Sequence, residues 1–332
     1  MDSNEWNVAK VIEASGDYKQ SCVLHAAVKL SIFEMIDSKQ FRSKEVASRL
    51  HAQQRGLEML LNALAAVGLL IKKGDTFSNT LFSSTFLSKK SPDYIGDIIL
   101  YHHRIMNSWH SLDYSVRKGK PVRARQIRAN SKARKNFLMC MLNLAKNTAP
   151  ELSQAIDLSE RRHLLDIGGG AGLYAIYFCL KNPQLKGVVF DLPTSKSYFE
   201  KVIKGFNVRG RLKFISGDYL KNRFAGTYDV VLISQILHAH GPSDCDRIIS
   251  AAISVLEPGG MIIIHDFILN NEMDKPLFST LFSMDMLLST KAGRAYSEEQ
   301  IMGMLVKAGV KKIQRLPFKG INDSGVITGL AE

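Results

Sequence analysis

Long apolar runs are missing from this 332-residue chain; none approaches the ~20 residues that a bilayer-crossing helix needs. The opening stretch, Met1-Asp2-Ser3-Asn4-Glu5-Trp6, has neither a basic flank nor an apolar core, so no secretion signal is expected. Cysteine is scarce. Cys22, Cys140, Cys179 and Cys245 lie far apart, with no C-x-x-C pair. That spacing argues against a disulfide frame or a zinc site and for reduced, mostly buried thiols in a cytoplasmic protein. No metal site is expected. One segment lacks acids altogether: Arg117, Lys118, Lys120, Arg123, Arg125, Arg128, Lys132, Arg134 and Lys135 follow one another without a carboxylate, within a chain of net charge +13. It also lacks aromatic residues, and hence the stacking platforms of a single-strand nucleic-acid binder. The run reads first as a solvated loop and helix face, and second as a surface that attracts an anionic substrate or partner.

What the chain does have is enough apolar material, 45% of its residues, to bury a full core, and enough length for two domains. Up to about residue 95 the pattern is helical with one small hairpin. Val23, Ala26, Ala27, Leu30, Ile32 and Phe33 recur at helical spacing and predict a buried helix. Ser43 is placed to cap a helix over Lys44 to Leu50, and a second helix carries Leu57, Leu60, Leu61, Leu64 and Val67 up to Gly68. Leu69 to Phe77 then reads as strand, turn and strand. Helix, turn, helix and wing is the winged-helix order. The second helix is Leu- and Ala-rich on most sides, which favours packing or dimerisation over the reading of base edges.

Ser91-Pro92-Asp93 has the grammar of a helix start, and a later helix with Phe137, Leu138, Met141, Leu142 and Leu144 is expected to stop near Pro150. These helices, over residues 96–155, would connect an N-terminal domain (1–95) to the rest (96–332). From about residue 160 short apolar strands alternate with helical patterns: Leu164-Leu165, Val188 to Phe190, Leu212 to Ile215, Val230 to Ile233 and Met261 to Ile264. Continuous apolar strands with helical crossovers imply a parallel sheet covered on both faces. After a capping-box helix start at Ser297 to Gln300, two strands near Lys312 to Leu316 and Val326 to Leu330 are joined only by a loop, a hairpin ending foreign to the all-parallel dinucleotide fold.

The run Asp166-Ile167-Gly168-Gly169-Gly170-Ala171-Gly172 directly follows a predicted strand and opens a helix. Glycine suits a backbone that turns tightly against a ligand. Asp191 ends the next strand about 20 residues later, where a carboxylate accepts from ribose hydroxyls, and Gly217-Asp218 follows the third. One acid at each of three neighbouring strand ends marks a nucleotide-like ligand at the carboxyl edge of an open sheet. Asp166 itself sits where dinucleotide sites usually carry an apolar residue, and an acid there can orient the cationic amino-acid end of S-adenosylmethionine (SAM).

Taken with Val189-Phe190-Asp191-Leu192-Pro193, Tyr228-Asp229-Val230-Val231-Leu232 and Leu256-Glu257-Pro258-Gly259-Gly260, the glycine run resembles the small-molecule SAM-dependent O-methyltransferase family, which includes plant phenylpropanoid, acetylserotonin, and bacterial polyketide and carotenoid enzymes. The resemblance covers nearly the whole chain. It implies a class I methyltransferase Rossmann-like sheet with a terminal antiparallel hairpin, preceded by a helical winged-helix-like dimerisation domain. It also implies a homodimer, SAM as cofactor and a small-molecule methyl acceptor, with no nucleic acid and no membrane span. The cofactor residues expected are Asp166, Gly168, Gly170, Gly172, Asp191, Leu192, Gly217, Asp218, Tyr219 and Ser234.

Transfer to a hydroxyl needs a base near the sheet's carboxyl edge, and His238, His240 and His265 are the candidates there. The resemblance selects His238, within Leu237-His238 through Ser243-Asp244, as the base and Asp266 as the acid that orients it. His240 is the runner-up. Two departures stand out. Ala239-His240-Gly241-Pro242 replaces the Asp-Trp that follows the base in plant members, and Ala295 stands where a second orienting glutamate belongs. A more acidic hydroxyl, proximity alone, or a carbon or nitrogen nucleophile therefore stay open, as do SAM-dependent hydroxylation or decarboxylation and a SAM-responsive winged-helix DNA-binding regulator. Met139, Met141, Met286 and Arg294 are the candidate substrate contacts, with Met284 and Phe282 beside them; as a stripe at helical spacing such residues are more often simply core.

Overall fold

The computed structural model describes residues 6–37, 39–122 and 131–332. The chain divides into two compact units, Met1–Asn107 and Ser108–Glu332. Of the basic run, Arg123, Arg125 and Arg128, and the side chains of Lys132, Arg134 and Lys135, lie outside the described residues.

In the first unit the helices α1 (Val8–Gly16), α2 (Tyr18–Lys29), α3 (Ile32–Ile36), α4 (Ser43–Leu50) and α5 (Gln54–Ala66) surround a small antiparallel sheet of β1 (Phe41–Arg42), β2 (Leu70–Lys73) and β3 (Thr76–Asn79), ordered β1-β3-β2. The core is Phe33, Leu61, Leu64 and Phe77, all essentially inaccessible. The single helix expected from Val23 to Phe33 is instead two, because Ser31 adopts φ 57° and breaks the ladder. Ser43 is the first residue of α4 rather than its cap; the Glu45 carboxylate accepts from the Arg42 amide at 2.7 Å and closes that end. Ser91-Pro92-Asp93 forms a local turn in which Ser91 Oγ accepts from the Asp93 amide, and α6 (Gly96–Trp109) begins only after it. A hydroxyl that satisfies the amide two residues on competes with helix initiation there.

The second unit opens with α7 (Leu112–Lys118) and α8 (Ser131–Ala155). Pro150 does not end α8. Ala149 before the proline and Leu152 and Ile156 after it are buried in the core, and that burial outweighs one lost intrahelical bond. The sheet follows: β4 (His163–Ile167), β5 (Lys186–Asp191), β6 (Leu212–Ser216), β7 (Tyr228–Ser234), β8 (Leu256–Asp266), β9 (Lys311–Arg315) and β10 (Gly325–Leu330), interleaved with α9 (Leu173–Lys181), α10 (Lys196–Val202), α11 (Pro242–Ile253), α12 (Leu277–Ser289) and α13 (Glu298–Lys307). The order is β6-β5-β4-β7-β8-β10-β9, with β10 antiparallel to both β8 and β9. This is the mixed sheet with a terminal hairpin that the sequence implies.

Both faces of the sheet are covered, which is why its strands read as unbroken apolar runs. Leu164, Val230, Leu232 and Ile263 pack beneath Leu152, Ile176 and Phe178. Their neighbours Leu165, Val231, Ile233, Ile262 and Ile264 point the other way, against Ile248, Ile249, Ile301 and Leu305. Parallel register aligns the strand ends: Ile167 lies opposite Phe190 and Ile233, Asp191 opposite Ser216, and Ser234 opposite His265. Every motif named from the sequence at a strand end therefore reaches the same edge. Among the described residues no helix is long and apolar enough to cross a membrane.

Candidate active site

A cavity of about 340 Å³ opens at that edge, a size suited to a small-molecule ligand. Its walls include Gly168, Gly170, Asp191, Leu192, Asp218, Tyr219, Ser234 and His238. The glycine turn is a backbone surface by necessity. Gly168 has φ 69°, and a Cβ there would run into Ile236; a Cβ on Gly169 would occupy the place of the Asp166 carboxylate. Asp191 stabilises the turn from the neighbouring strand. Its Oδ2 accepts from the Gly170 amide at 2.8 Å, and its Oδ1 from the Leu192 amide at 2.6 Å and Ser195 Oγ at 2.9 Å. Asp218 Oδ1 caps its own loop through the Leu220 amide, and Tyr219 Oη is 2.9 Å from His240 Nε2.

Three expected cofactor residues do not reach the cavity surface. Gly172 is the N-cap of α9, packed on Phe199, and Gly217 lies against the Phe190 ring where no side chain fits. Asp166 is wholly buried behind the turn, and neither carboxylate oxygen has a hydrogen-bond partner. Burial, helped by the charge of Asp191, pushes its carboxyl up to about 7, with the Ala175 amide opposing weakly. A buried, unpartnered acid beneath a rigid glycine cradle suits a ligand that brings a positive charge. Together with Asp191 in the cavity wall, where a carboxylate can accept from ribose hydroxyls, this donor set fits SAM.

On the same edge His238 occupies a short turn after β7. Its Nδ1 lies 2.6 Å from Asp266 Oδ1, and Asp266 also accepts from the Phe267 amide at 2.8 Å. Burial favours the neutral acid, but the adjacent His238 and these donors outweigh it and hold Asp266 below the usual carboxylate range. An ionised Asp266 accepts a hydrogen bond from the Nδ1–H of His238, which leaves the Nε2 lone pair for the cavity that the residue lines. Phe282 meets the His238 ring edge-on at 4.8 Å, and Phe267 lies at 5.8 Å. Gly293 lies so close to the His238 carbonyl that a Cβ would overlap it. The 293–295 segment is thus beside the base, yet Ala295 is buried and brings no carboxylate.

The substrate candidates divide. Met141 lines the cavity, and Met139, Met286 and Arg294 do not. Residues two apart on a helix point in nearly opposite directions, so Met139 and Met141 cannot share a face; Leu138, Met141, Leu142, Ala145 and Thr148 can, and do. Met286 is core, and the Arg294 guanidinium lies 5.3 Å over the Tyr296 ring. Sequence reasoning missed Thr148, Tyr174, Asn322 and Ser324, all in the cavity wall. Tyr174 carried a signal, lying two residues into the helix that the glycine turn opens. The loop residues carried none. Among the described residues no group of three or more His, Cys, Asp or Glu is arranged to hold a metal.

Comparison with known proteins gives the geometry its family. Residues 109–311 match the O-methyltransferase domain, and residues 12–89 the O-methyltransferase dimerisation domain. The 3-hydroxy-5-methyl-1-naphthoate 3-O-methyltransferase of Streptomyces sahachiroi is 28% identical over 96% of this chain and 93% of its own length. The L-tyrosine C(3)-methyltransferase of Streptomyces lavendulae is 25% identical over 92% and 87%. The solved structure of an O-methyltransferase family protein from Burkholderia thailandensis superposes with a TM-score of 0.88 over 99% of each chain, at 28% identity. The chain belongs to the O-methyltransferase family and is an S-adenosylmethionine-dependent O-methyltransferase that carries the family's dimerisation domain.

Proposed function

We propose that this enzyme methylates a hydroxyl on a small aromatic or conjugated metabolite, with His238 as general base and Asp266 as the acid that orients it. The observation that carries this reading is the 2.6 Å contact between His238 Nδ1 and Asp266 Oδ1, with His238 in the cavity wall. Bound SAM supplies an electrophilic methyl group on a sulfonium. The protein's share is then to bind and align the two reactants and to take one proton at His238 Nε2. Asp191, Leu192, Asp218, Tyr219 and Ser234 hold the cofactor at the strand ends, and Asp166 acts from behind the glycine turn. Phe267 gives the acceptor an apolar wall beside the base, backed by the Phe282 ring at 4.4 Å. The naphthoate specificity of the Streptomyces sahachiroi relative agrees with such a wall.

We further propose that residues 1–95 pair two chains into a homodimer, with 96–155 as the connection to the catalytic part. In support, α1 buries none of its residues within the chain, and Val8, Val11 and Ile12 are exposed. Val11→Asp with Ile12→Asp should shift the protein toward monomer in light scattering; an unchanged mass would rule α1 out as the interface. A second reading of the reaction, methylation at carbon, is favoured by the missing acid at Ala295 and by the L-tyrosine C(3)-methyltransferase relative. A panel of phenols, quinols, enols and hydroxy acids, read by mass spectrometry for the added methyl and by fragmentation for its position, separates the two. Carbon-linked products alone would overturn the hydroxyl reading.

A further inference from the structure

His265 has no part in the proton transfer proposed above, yet it is, like Asp166, a wholly enclosed polar side chain at the sheet edge. It sits at the end of β8, wholly inaccessible, directly opposite Ser234 in the β7–β8 register. Its Nδ1 is 2.8 Å from Ser234 Oγ and its Nε2 is 3.0 Å from Ser324 Oγ. The rings of Tyr174 and Phe318 meet it edge-on at 5.4 and 5.9 Å. The result is a polar chain, Ser234–His265–Ser324, that joins the end of β7, the end of β8 and the loop before β10. Both serines line the cavity.

The two serines belong to different walls. Ser234 ends β7 beside the glycine turn. Ser324 ends the loop that contributes Ile321 and Asn322 to the cavity. That loop has two consecutive non-glycine residues, Asn322 and Asp323, at φ 59° and 57°, a conformation that persists only where its surroundings hold it. The Gly320 amide donates to the Ser324 carbonyl at 2.9 Å, so the Ser324 backbone closes the loop while its side chain is tied to the sheet.

We propose that His265 is a positioning residue that couples the two walls, holding the Ile321–Ser324 loop in place relative to the cofactor-lining Ser234. The proposal rests on the reading that this cavity takes SAM. A neutral imidazole has one N–H and one lone pair, so the chain has a direction. One serine donates to the ring and the other accepts from it, and the accepting serine keeps its own proton free for a ligand in the cavity. Burial, the larger influence, drives the His265 ring down to about 4, so the ring is neutral at ordinary pH. A charged imidazole would donate at both ends and free both hydroxyl protons; the neutral one selects a single donor.

The two ends can be tested separately. An asparagine amide reaches about as far as Nδ1 and a glutamine amide about as far as Nε2, so His265→Asn preserves the Ser234 end and His265→Gln the Ser324 end. Affinity for SAM, measured by calorimetry, reports on the first. Hydrogen exchange of residues 317–326, followed by mass spectrometry without SAM, reports on the second. His265→Leu should weaken SAM binding by about tenfold and raise exchange in the loop by a similar factor. His265→Asn should restore SAM binding but not loop protection, and His265→Gln the reverse. Ser324→Ala, which removes only a hydroxyl, should deprotect the loop as His265→Asn does. Wild-type behaviour of His265→Leu in both measurements would overturn the proposal. So would equal losses in all three histidine variants that track a common fall in Tm, since that pattern belongs to a residue that merely fills space. Asp191→Ala is the control for the cavity itself. If that variant binds SAM as tightly as wild type, the cofactor lies elsewhere and the cavity assignment fails, a result distinct from failure at His265.

Discussion

The glycine-turn end of the cavity and the His238 end are built in different ways. At the first, backbone atoms make the surface: Gly168 to Gly170 supply it, and Asp191 accepts the Gly170 and Leu192 amides to hold it rigid. Its residues come from short segments at consecutive strand ends, brought together by the parallel register. At the second, side chains make the surface, and they come from all over the second unit: Met141 from α8, Phe267 after β8, Thr290 after α12 and Asn322 before β10. A backbone site constrains few residue types tightly, and so suits a ligand common to a whole family. A side-chain site can change residue by residue without disturbing the fold, and so suits a ligand that differs between relatives. His238 and Asp266 belong to the second end by position, but share the rigidity of the first through a 2.6 Å bond.

The sharpest test of that division removes one group from each end. His238→Ala should lower kcat by about 100-fold, and by no less than about tenfold, with SAM affinity within about twofold of wild type. Unchanged turnover would remove His238 from the chemistry. Asp191→Ala should do the opposite. It deletes the acceptor for Gly170, Leu192 and Ser195, and should raise the Kd for SAM by about 30-fold, with kcat at saturating SAM reduced far less. If both variants lose affinity and turnover alike, the two ends are one unit and the comparison fails.

The same contrast explains what could be read from the sequence. The seven-stranded sheet was legible because each buried strand is an apolar run, and the edge residues because an acid or glycine marks each strand end. His238 and Asp266 were legible by resemblance, and the structure brings them into contact. Met139 was misplaced beside Met141 although helical periodicity already separates them. Asn322 and Ser324 left no trace, because a loop side chain reaches the cavity through backbone angles, here two left-handed residues, that composition does not encode. The long α8 was misread at Pro150 for a related reason: tertiary burial on both sides of a proline is invisible locally.

Asp166 tests the rigid end without an acceptor. Its folded value, about 7, lies above the ordinary carboxylate value of 3.8, so the folded chain holds that proton more tightly than the unfolded one. The group therefore costs nothing near pH 4, becomes progressively destabilising as the pH rises, and reaches its full cost above about pH 7. Asp166→Asn cannot ionise. Without SAM, its stability relative to wild type should improve by about 2–4 kcal/mol between pH 4 and pH 8, measured by denaturant unfolding. A difference that stays flat across this range would mean that Asp166 finds a partner in solution, and would weaken its assignment as the acid awaiting a cation.

The smallest effects belong to the adaptable end, and two residues matched by sequence but separated by structure expose them. Met141 is in the cavity wall, whereas Arg294 lies over Tyr296, outside it. Once an acceptor has been identified, Met141→Ala should change its KM by about three- to tenfold, through lost contact or through added room, while SAM affinity moves less than twofold. Arg294→Ala should change the acceptor's KM by less than about twofold at any salt concentration, because its charge does not face the cavity. A salt-dependent rise in KM for Arg294→Ala would place an anionic acceptor near that guanidinium and extend the side-chain end of the site to the 293–295 segment. That segment already packs against the backbone of the proposed base, so the extension would give Ala295's missing carboxylate a chemical reason: an acid there would repel the acceptor that Arg294 attracts.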